Sequence, residues 1–251
     1  MQVINNCIQD IPVAVQGQLP NLPALKKTIR RRRVQVDGPP PNPVRLIDLV
    51  IPQGSVYRQY ESEPGNMENF LLAEGAQSED NIMIFGRERN LGMLDRSQRW
   101  YIDGTFRIAP AIFAQIFVVL CEELGGVHPV AYGLLPNKRR ETYDRFFQMM
   151  HILRPNASPA SVSCDYELNS FRAVSQVFPN AEIHGCFFHF VKNFRKCLRN
   201  NDLLRRYNED PNFALQARMI PAMAFVPLNR IEDAFGELSQ FLPPELHPVL
   251  D

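Results

Sequence analysis

The stretch "RWYIDGTFRIAP", Arg99–Pro110, decides how the fold of this chain is interpreted. Its apolar first half predicts a β-strand with a polar exit, and Trp100 and Phe106 are expected to be core anchors on either side of Asp103. A carboxylate at the end of such a strand has two interpretations. Asp103 either begins a turn, because Asp-Gly is a common turn signal, or it is placed there to do chemistry.

The next two apolar segments predict an antiparallel meander. "IFAQIFVVLCEE" (112–123) and "PVAYGLLP" (129–136) have the composition of strands. Between them, "LGGVHP" offers Gly125 and Gly126 at a position suited to a hairpin turn.

The hydrophobic period then changes from that of strands to that of helices. Helices are predicted at 141–154, 168–179 and 189–202, and short strands at 160–167 and 181–190. The predicted order is therefore β-β-β-α-β-α-β-α, followed by helices. This order predicts an α/β fold with a mixed sheet flanked by helices, and the ribonuclease H-like fold has this order.

Two predicted strands end in aspartates. Asp103 ends the first strand and Asp165 ends the fourth, and these strands are neighbours in a ribonuclease H-like sheet. Two adjacent carboxylates repel each other, so a proton or a cation must accompany them. Oxygen ligands favour Mg²⁺ or Mn²⁺, and two such ions about 3.5–4 Å apart can drive phosphoryl transfer. The alternative is that Asp165 caps the following helix.

A Cys-x-x-His element, Cys186 and His189 in "GCFFHF", brings two soft-metal ligands within one helical turn. A structural zinc site normally has four ligands. His184 is a third candidate, and no fourth is evident, so the sequence argues against zinc. Core packing with a hydrogen-bonded histidine is the favoured interpretation.

Composition restricts the class of protein. The chain has 251 residues, 45% of them hydrophobic, and equal numbers of basic and acidic residues, 27 each. Any nucleic-acid binding must therefore come from local patches. Five cysteines without framework spacing indicate reduced thiols. No signal peptide or long apolar run is evident, so we expect a nuclear or cytoplasmic protein that is neither secreted nor bound to a membrane.

We expect four segments along the chain: a proline-rich arm (1–60), lead-in elements (61–98), a core (99–205) and a helical tail (206–251). The arm carries a basic run that is predicted to form a short helix before the prolines stop it. The run either contacts phosphates or acts as a nuclear import signal, or it is simply a solvated charged arm. Its basic residues are Lys26, Lys27, Arg30, Arg31, Arg32 and Arg33.

Taken together, "WYIDGTFRIAPAIFAQIFVV", "PVAYGLLPNKRRETYDRFFQMM", "CDYE" and "IHGCFFHFVKNFRKCL" resemble the transposase domain of Mutator-like elements, the MULE family of DDE/D transposases. The resemblance implies that Asp103 and Asp165 are catalytic and bind metal, and that Cys186 and His189 form the family's Cys-x-x-His motif. The family's third acid is a glutamate on a late helix. In the tail, Glu232, Glu237 and Glu245 do not match it.

The resemblance therefore implies metal-dependent DNA strand cleavage and transfer at transposon ends, with Mg²⁺ or Mn²⁺ and with a homo-oligomer as a further expectation. Because the third acid is not found, we expect an incomplete enzyme whose tail is the start of a truncated helical insertion. The alternative is an inactive, domesticated or truncated remnant that binds DNA or protein. A third interpretation is a zinc-dependent module built on His184, Cys186 and His189.

Overall fold

A computed structural model of the chain describes residues 20–37, 42–52 and 57–250, in two units that divide after Pro43. In the first unit, helix α1 spans Leu22–Asp37. It begins at Asn21, whose Oδ1 accepts a hydrogen bond from the Ala24 amide at 3.0 Å. The basic run thus lies on a helix, as predicted. Its exposed side chains are Lys26, Lys27, Arg30, Arg31 and Arg32. The side chain of Arg33, residues 1–19 of the arm and residues 38–41 of the proline cluster lie outside the described part.

The second unit is built on a mixed sheet. A separate hairpin, β1 (Gln59–Glu63) and β2 (Asn66–Asn69), precedes it. The seven strands of the sheet are β3 (Leu71–Glu74), β4 (Met83–Phe85), β5 (Arg99–Thr105), β6 (Gln115–Glu123), β7 (Gly126–Leu135), β8 (Ser161–Cys164) and β9 (Glu182–Gly185). Their spatial order is β3-β4-β7-β6-β5-β8-β9. The β5–β8 and β8–β9 pairs are parallel and the others are antiparallel.

Helices flank this sheet, so the predicted mixed α/β architecture and element order are confirmed. The helices of this unit are α2 (Glu88–Leu91), α3 (Arg140–Leu153), α4 (Leu168–Val177), α5 (Phe187–Asn200), α6 (Leu204–Glu209), α7 (Pro211–Ala222), α8 (Ile231–Phe241) and α9 (His247–Leu250). Within the described residues, no helix is long and apolar enough to cross a bilayer.

The main core lies between the sheet and the apolar face of α3. The Phe117 ring of β6 lies 5.2, 5.3 and 6.0 Å from the rings of Tyr143, Phe146 and Phe147. Gly133 of β7 makes room for this packing, because a Cβ atom there would lie 2.5 Å from the Phe146 ring. Such interlocked aromatic rings fix how the helix sits on the sheet.

The two predicted core anchors beside Asp103 behave differently. Trp100 is buried, with its ring 5.1 Å from that of Phe178, so this prediction is confirmed. The prediction for Phe106 is wrong, because its side chain is 45% exposed. Strand β5 ends at Thr105, and the Phe106 ring beyond it packs under the Lys138 ammonium at 3.7 Å.

The hairpin between β6 and β7 turns one residue earlier than predicted. Leu124 and Gly125 have φ values of 52° and 77°, and two successive positive φ values are typical of the type I′ turns that match the twist of a hairpin. Gly126 is already in β7, which therefore begins before the predicted Pro129. The turn thus holds Leu124 in a conformation that favours glycine.

The C-terminal helices have a hydrophobic cluster of their own. It joins the buried side of α5 to α7, α8 and α9, and its members are Phe194, Leu198, Phe213, Ala217, Ile220, Leu238, Leu242, Leu246 and Val249. Helix α7 begins at Asp210, whose side chain accepts hydrogen bonds from the amides of Asn212 and Phe213. This cluster anchors α5 on the side away from solvent.

Candidate active site

Asp103 lies inside β5, two residues before the strand ends. It is paired with Val118 of β6, and its side chain is 51% exposed. Trp100 and Ile102 point into the core, so the alternation of a strand directs Asp103 to the opposite face. The next residue, Gly104, is paired in the strand, so Asp-Gly does not form a turn here. A Cβ atom on Gly104 would lie 2.6 Å from Gln115 Oε1, which explains the glycine.

Asp165 follows β8 directly, and β8 is the parallel neighbour of β5. The parallel register pairs Trp100 with Val162 and Tyr101 with Ser163. Continued by two residues, this register sets Asp103 opposite Asp165. Val162 and Cys164 are buried, and the alternation of β8, extended by one residue, predicts that Asp165 faces the same side as Asp103. Neighbouring strands lie about 4.8 Å apart, so this extension of the strands predicts that the two carboxylates lie at one edge and on one face of the sheet.

The Asp165 carboxylate also shapes the loop after β8. Its Oδ1 accepts a hydrogen bond from the Glu167 amide at 3.3 Å. The N-cap of α4 is Glu167, so Asp165 is not the capping residue of this helix. The Tyr166 ring between them packs on Gly185, where a Cβ atom would lie 2.5 Å from the ring. This contact connects the loop to the end of β9.

The third strand at this edge leads into the Cys-x-x-His element. The Cys186 amide donates a hydrogen bond to the Cys164 carbonyl at 2.7 Å, and Cys186 is the N-cap of α5. His189, on the first turn, has its Nε2 atom 3.8 Å from Asp103 Oδ1. Its Nδ1 atom is buried and has no hydrogen-bond partner among the described residues. The element therefore lies next to the aspartates.

The proposed zinc trio is not assembled. His184 points to Glu182, with 3.6 Å between Nε2 and Oε2, and is 48% exposed. In the segments 20–37, 42–52 and 57–250, no group of three or more histidine, cysteine, aspartate or glutamate side chains is arranged to hold a metal ion. His189 thus lies near Asp103, whereas His184 faces Glu182.

Comparison with known proteins identifies this region. Residues 99–193 match the family model of the MULE transposase domain. The chain contains a MULE transposase domain. The family resemblance inferred from the sequence motifs is therefore confirmed. No curated protein matches the chain. The matched range runs from the first residue of β5 into α5 and includes the aspartates and the Cys-x-x-His element.

A buried polar network in the MULE transposase domain supports the Asp165 loop. Gln115 Nε2 donates to the Tyr143 hydroxyl at 2.8 Å, and that hydroxyl donates to Glu167 Oε1 at 3.0 Å. Lys138 Nζ donates to Glu167 Oε2 at 3.1 Å. Burial raises the pKa of the Tyr143 hydroxyl, and the nearby charges of Glu167 and Asp165 raise it further. The network joins β6 and α3 to the loop of the domain.

Sequence reasoning missed this network, although two signals were present. Gln115 is a polar residue within an apolar strand and is fully buried in the structure. Glu167 stands two residues after Asp165 in "CDYE". The helical spacing of "ETYDRFFQMMHILR" places Tyr143 on the apolar face of its helix. Its ring does pack there, but its hydroxyl reaches past the core to Glu167.

The thiol next to Asp165 is kept protonated. Cys164 is buried, and burial raises its pKa to about 12, with the charge of Asp165 adding to the effect. A thiol with so high a pKa is a poor nucleophile and a poor metal ligand at neutral pH. Cys164 is therefore a packing residue of the transposase domain.

Proposed function

We propose that the chain carries out metal-dependent DNA strand cleavage and transfer, in a ribonuclease H-like fold, with Asp103 and Asp165 as the catalytic, metal-binding carboxylates. One observation supports the proposal: β5 and β8 are parallel neighbours whose last pair, Tyr101 with Ser163, precedes each aspartate by two residues. The position of β5 between β6 and β8 supports the ribonuclease H-like arrangement.

The carboxylate pair fits a divalent cation. Mg²⁺ prefers oxygen ligands, keeps several waters and is commonly held by one or two carboxylates together with substrate phosphates. Asp103 is half exposed and Asp165 partly buried, which leaves room for water and a phosphate. Bound there, Mg²⁺ or Mn²⁺ would activate a nucleophile and stabilise the leaving oxygen. The cation would also relieve the repulsion between the two carboxylates.

The residues around the pair have positioning roles in this proposal. His189 lies within ion-pair distance of Asp103 and orients its carboxylate. Tyr143 and Lys138 hold Glu167, which fixes the loop that carries Asp165. Phosphoryl transfer depends strongly on positioning, so a rigid loop at this point favours the reaction.

DNA is the expected partner, because the family is one of transposases. The substrate we propose is duplex DNA with the terminal sequences of a transposable element. We also propose that the protein acts inside the cell where chromosomal DNA lies, in the nucleus or the cytoplasm.

A second candidate function is DNA binding without cleavage. The observation that favours it is the lack, within the described residues, of a cluster of three or more metal-ligating side chains. Two carboxylates alone hold a cation with less control of its position, and a loss of positioning lowers the rate of phosphoryl transfer.

Cleavage assays separate the two functions. The full chain is incubated with Mn²⁺ and a labelled duplex that carries the terminal repeats of the element encoding it. We expect cleavage that Asp103→Asn and Asp165→Asn each abolish, whereas Glu237→Gln, a change at an exposed glutamate on α8, leaves it intact. Cleavage unaffected by Asp103→Asn would refute the site. Binding of the duplex without any cleavage would favour the second function.

A further inference from the structure

Helix α5 carries a strongly basic face. Its sequence, FFHFVKNFRKCLRN, contains four lysines and arginines and no acidic residue. Successive residues of a helix turn by about 100°, so the four cations fall within about 100° of arc. Phe194 and Leu198 lie on the opposite side and are buried. The members of this face, here called the α5 basic face, are Lys192, Arg195, Lys196 and Arg199, and all four are exposed.

These charges are not used inside the protein. None of the four forms an ion pair with a carboxylate in the described part of the chain, and the one contact found is that of Arg195 with the Tyr207 ring at 5.8 Å. The acids of the neighbouring α6 segment are engaged elsewhere. Glu209 pairs with Arg205 at 3.1 Å and Asp210 pairs with Arg206 at 3.5 Å. The α5 basic face is therefore free to attract an anionic partner.

The α5 basic face begins at the candidate active site. His189, on the first turn of α5, lies 3.8 Å from Asp103. From His189 to Arg199 the helix rises by about 15 Å, at about 1.5 Å per residue. A DNA strand advances about 3.4 Å along the duplex axis per phosphate, so this length matches about four phosphates. The whole chain has equal numbers of acidic and basic residues, so the unpaired cations of the α5 basic face form a local positive patch.

We infer that the α5 basic face binds the backbone phosphates of the DNA strand that runs through the candidate active site, and so sets the position of the scissile phosphate beside Asp103 and Asp165. This inference rests on the proposed function and names the surface that the DNA occupies. Contacts of this kind are independent of base sequence and position the duplex without reading it. Flexible lysines and arginines on an exposed helix suit this role.

The test compares two double variants that remove the same charge. Lys192→Gln with Lys196→Gln neutralises the α5 basic face, and Arg89→Gln with Arg172→Gln neutralises two exposed arginines outside it. Fluorescence anisotropy with a labelled 20-base-pair duplex of arbitrary sequence gives Kd between 50 and 200 mM salt, with EDTA present. Urea denaturation of each variant verifies that it is folded.

For the α5 variant we expect the negative slope of log K against log salt to become shallower by about 2, since each phosphate contact contributes about 0.9 to its magnitude. Its Kd at 0.1 M salt should rise about tenfold or more. The control should change Kd by less than about twofold. Equal losses in both variants, or an unchanged slope in the α5 variant, would overturn the inference.

The inference and the proposed function fail in different ways. If Asp103→Asn abolishes cleavage while the α5 variant binds DNA normally, the carboxylate site stands and the DNA surface lies elsewhere. If the α5 variant loses DNA binding while Asp103→Asn cleaves at the normal rate, the surface stands and the carboxylate site is refuted. A third variant, Lys26→Gln with Arg30→Gln, tests α1. A loss confined to this variant would move the phosphate contacts to α1.

Discussion

Removing the hydroxyl of Tyr143 should destabilise the protein far more than the loss of one oxygen atom suggests. The hydroxyl accepts a hydrogen bond from Gln115 Nε2 at 2.8 Å and donates one to Glu167 at 3.0 Å. Gln115 is fully buried, and its Oε1 atom already has no partner among the described residues. In Tyr143→Phe its amide nitrogen would lose its partner as well.

The magnitude follows from these two hydrogen bonds. An unsatisfied buried amide costs about 1–3 kcal/mol, and a hydrogen bond to a charged group contributes about 1.5–3 kcal/mol. The second contribution lies at its lower end, because the Glu167 side chain is 22% exposed and keeps Lys138 as a partner. We expect Tyr143→Phe to lower the free energy of unfolding by about 2.5–4.5 kcal/mol. Gln115→Leu removes the stranded amide, so the double variant should cost about 1–2 kcal/mol less than the sum of the two single changes.

Urea denaturation at pH 7 measures these differences, provided that the m-value stays constant. The raised pKa of Tyr143 gives a second readout. Its neutral form is favoured in the folded state, so its contribution is complete below pH 10 and is lost as the pH rises above 10. Tyr143→Phe should therefore reduce the alkaline loss of stability. Two results would refute the stabilising role of this hydrogen-bond network. One is a loss of less than about 0.5 kcal/mol in the free energy of unfolding of Tyr143→Phe. The other is strict additivity of the effects of Tyr143→Phe and Gln115→Leu in the double variant.

Three further predictions concern the core, the buried thiol and the histidine of the site. Gly133→Ala should lower the free energy of unfolding by about 1–3 kcal/mol in urea denaturation, because the new Cβ atom meets the Phe146 ring at 2.5 Å. Gly236→Ala is the control: it lies on α8 with open space around it, so the change should raise the free energy of unfolding by about 0.5–1 kcal/mol. The pKa of the Cys164 thiol is raised to about 12, so iodoacetamide should not modify it in the native protein at pH 8, as measured by mass spectrometry. The contribution of this thiol to stability should be lost as the pH rises from 9 through 12. Rapid alkylation of the native protein would contradict its burial. His189→Ala should weaken Mn²⁺ binding about tenfold, as expected for a residue that orients a ligand. The His184 side chain faces Glu182, so His184→Ala should leave the Mn²⁺ affinity unchanged. Equal effects of the two changes would exclude a role for His189.

The order of strands and helices could be predicted from the sequence, because the hydrophobic periodicity changes clearly from that of strands to that of helices after Pro136. It also predicted that the strands carrying Asp103 and Asp165 are neighbours, which the β5–β8 pairing confirms, but Asp103 lies two residues before the end of β5 rather than at its end. Register, however, depends on hydrogen bonds between strands that are distant in sequence. The pairing of Trp100 with Val162, on which the alignment of the two aspartates depends, is therefore visible only in the structure.

The errors near Asp103 have a physical origin. Asp-Gly suggested a turn from local propensity, but Gly104 is paired within β5 and its small size serves the close approach of Gln115. Phe106 was expected in the core because of its apolar character, yet it lies past the strand end and packs on Lys138. In both cases a tertiary contact that local patterns do not encode decides the outcome.

We propose that Asp103 and Asp165 share one divalent cation, and a thermodynamic cycle of Mn²⁺ binding measures whether the two carboxylates act together. Electron paramagnetic resonance of free Mn²⁺ gives the affinity of the full chain, of Asp103→Asn, of Asp165→Asn and of the double variant. We predict that each single change removes most of the binding and that the double change adds little to either, because the ligands of one ion act together. Undiminished Mn²⁺ binding in both single variants would contradict the account.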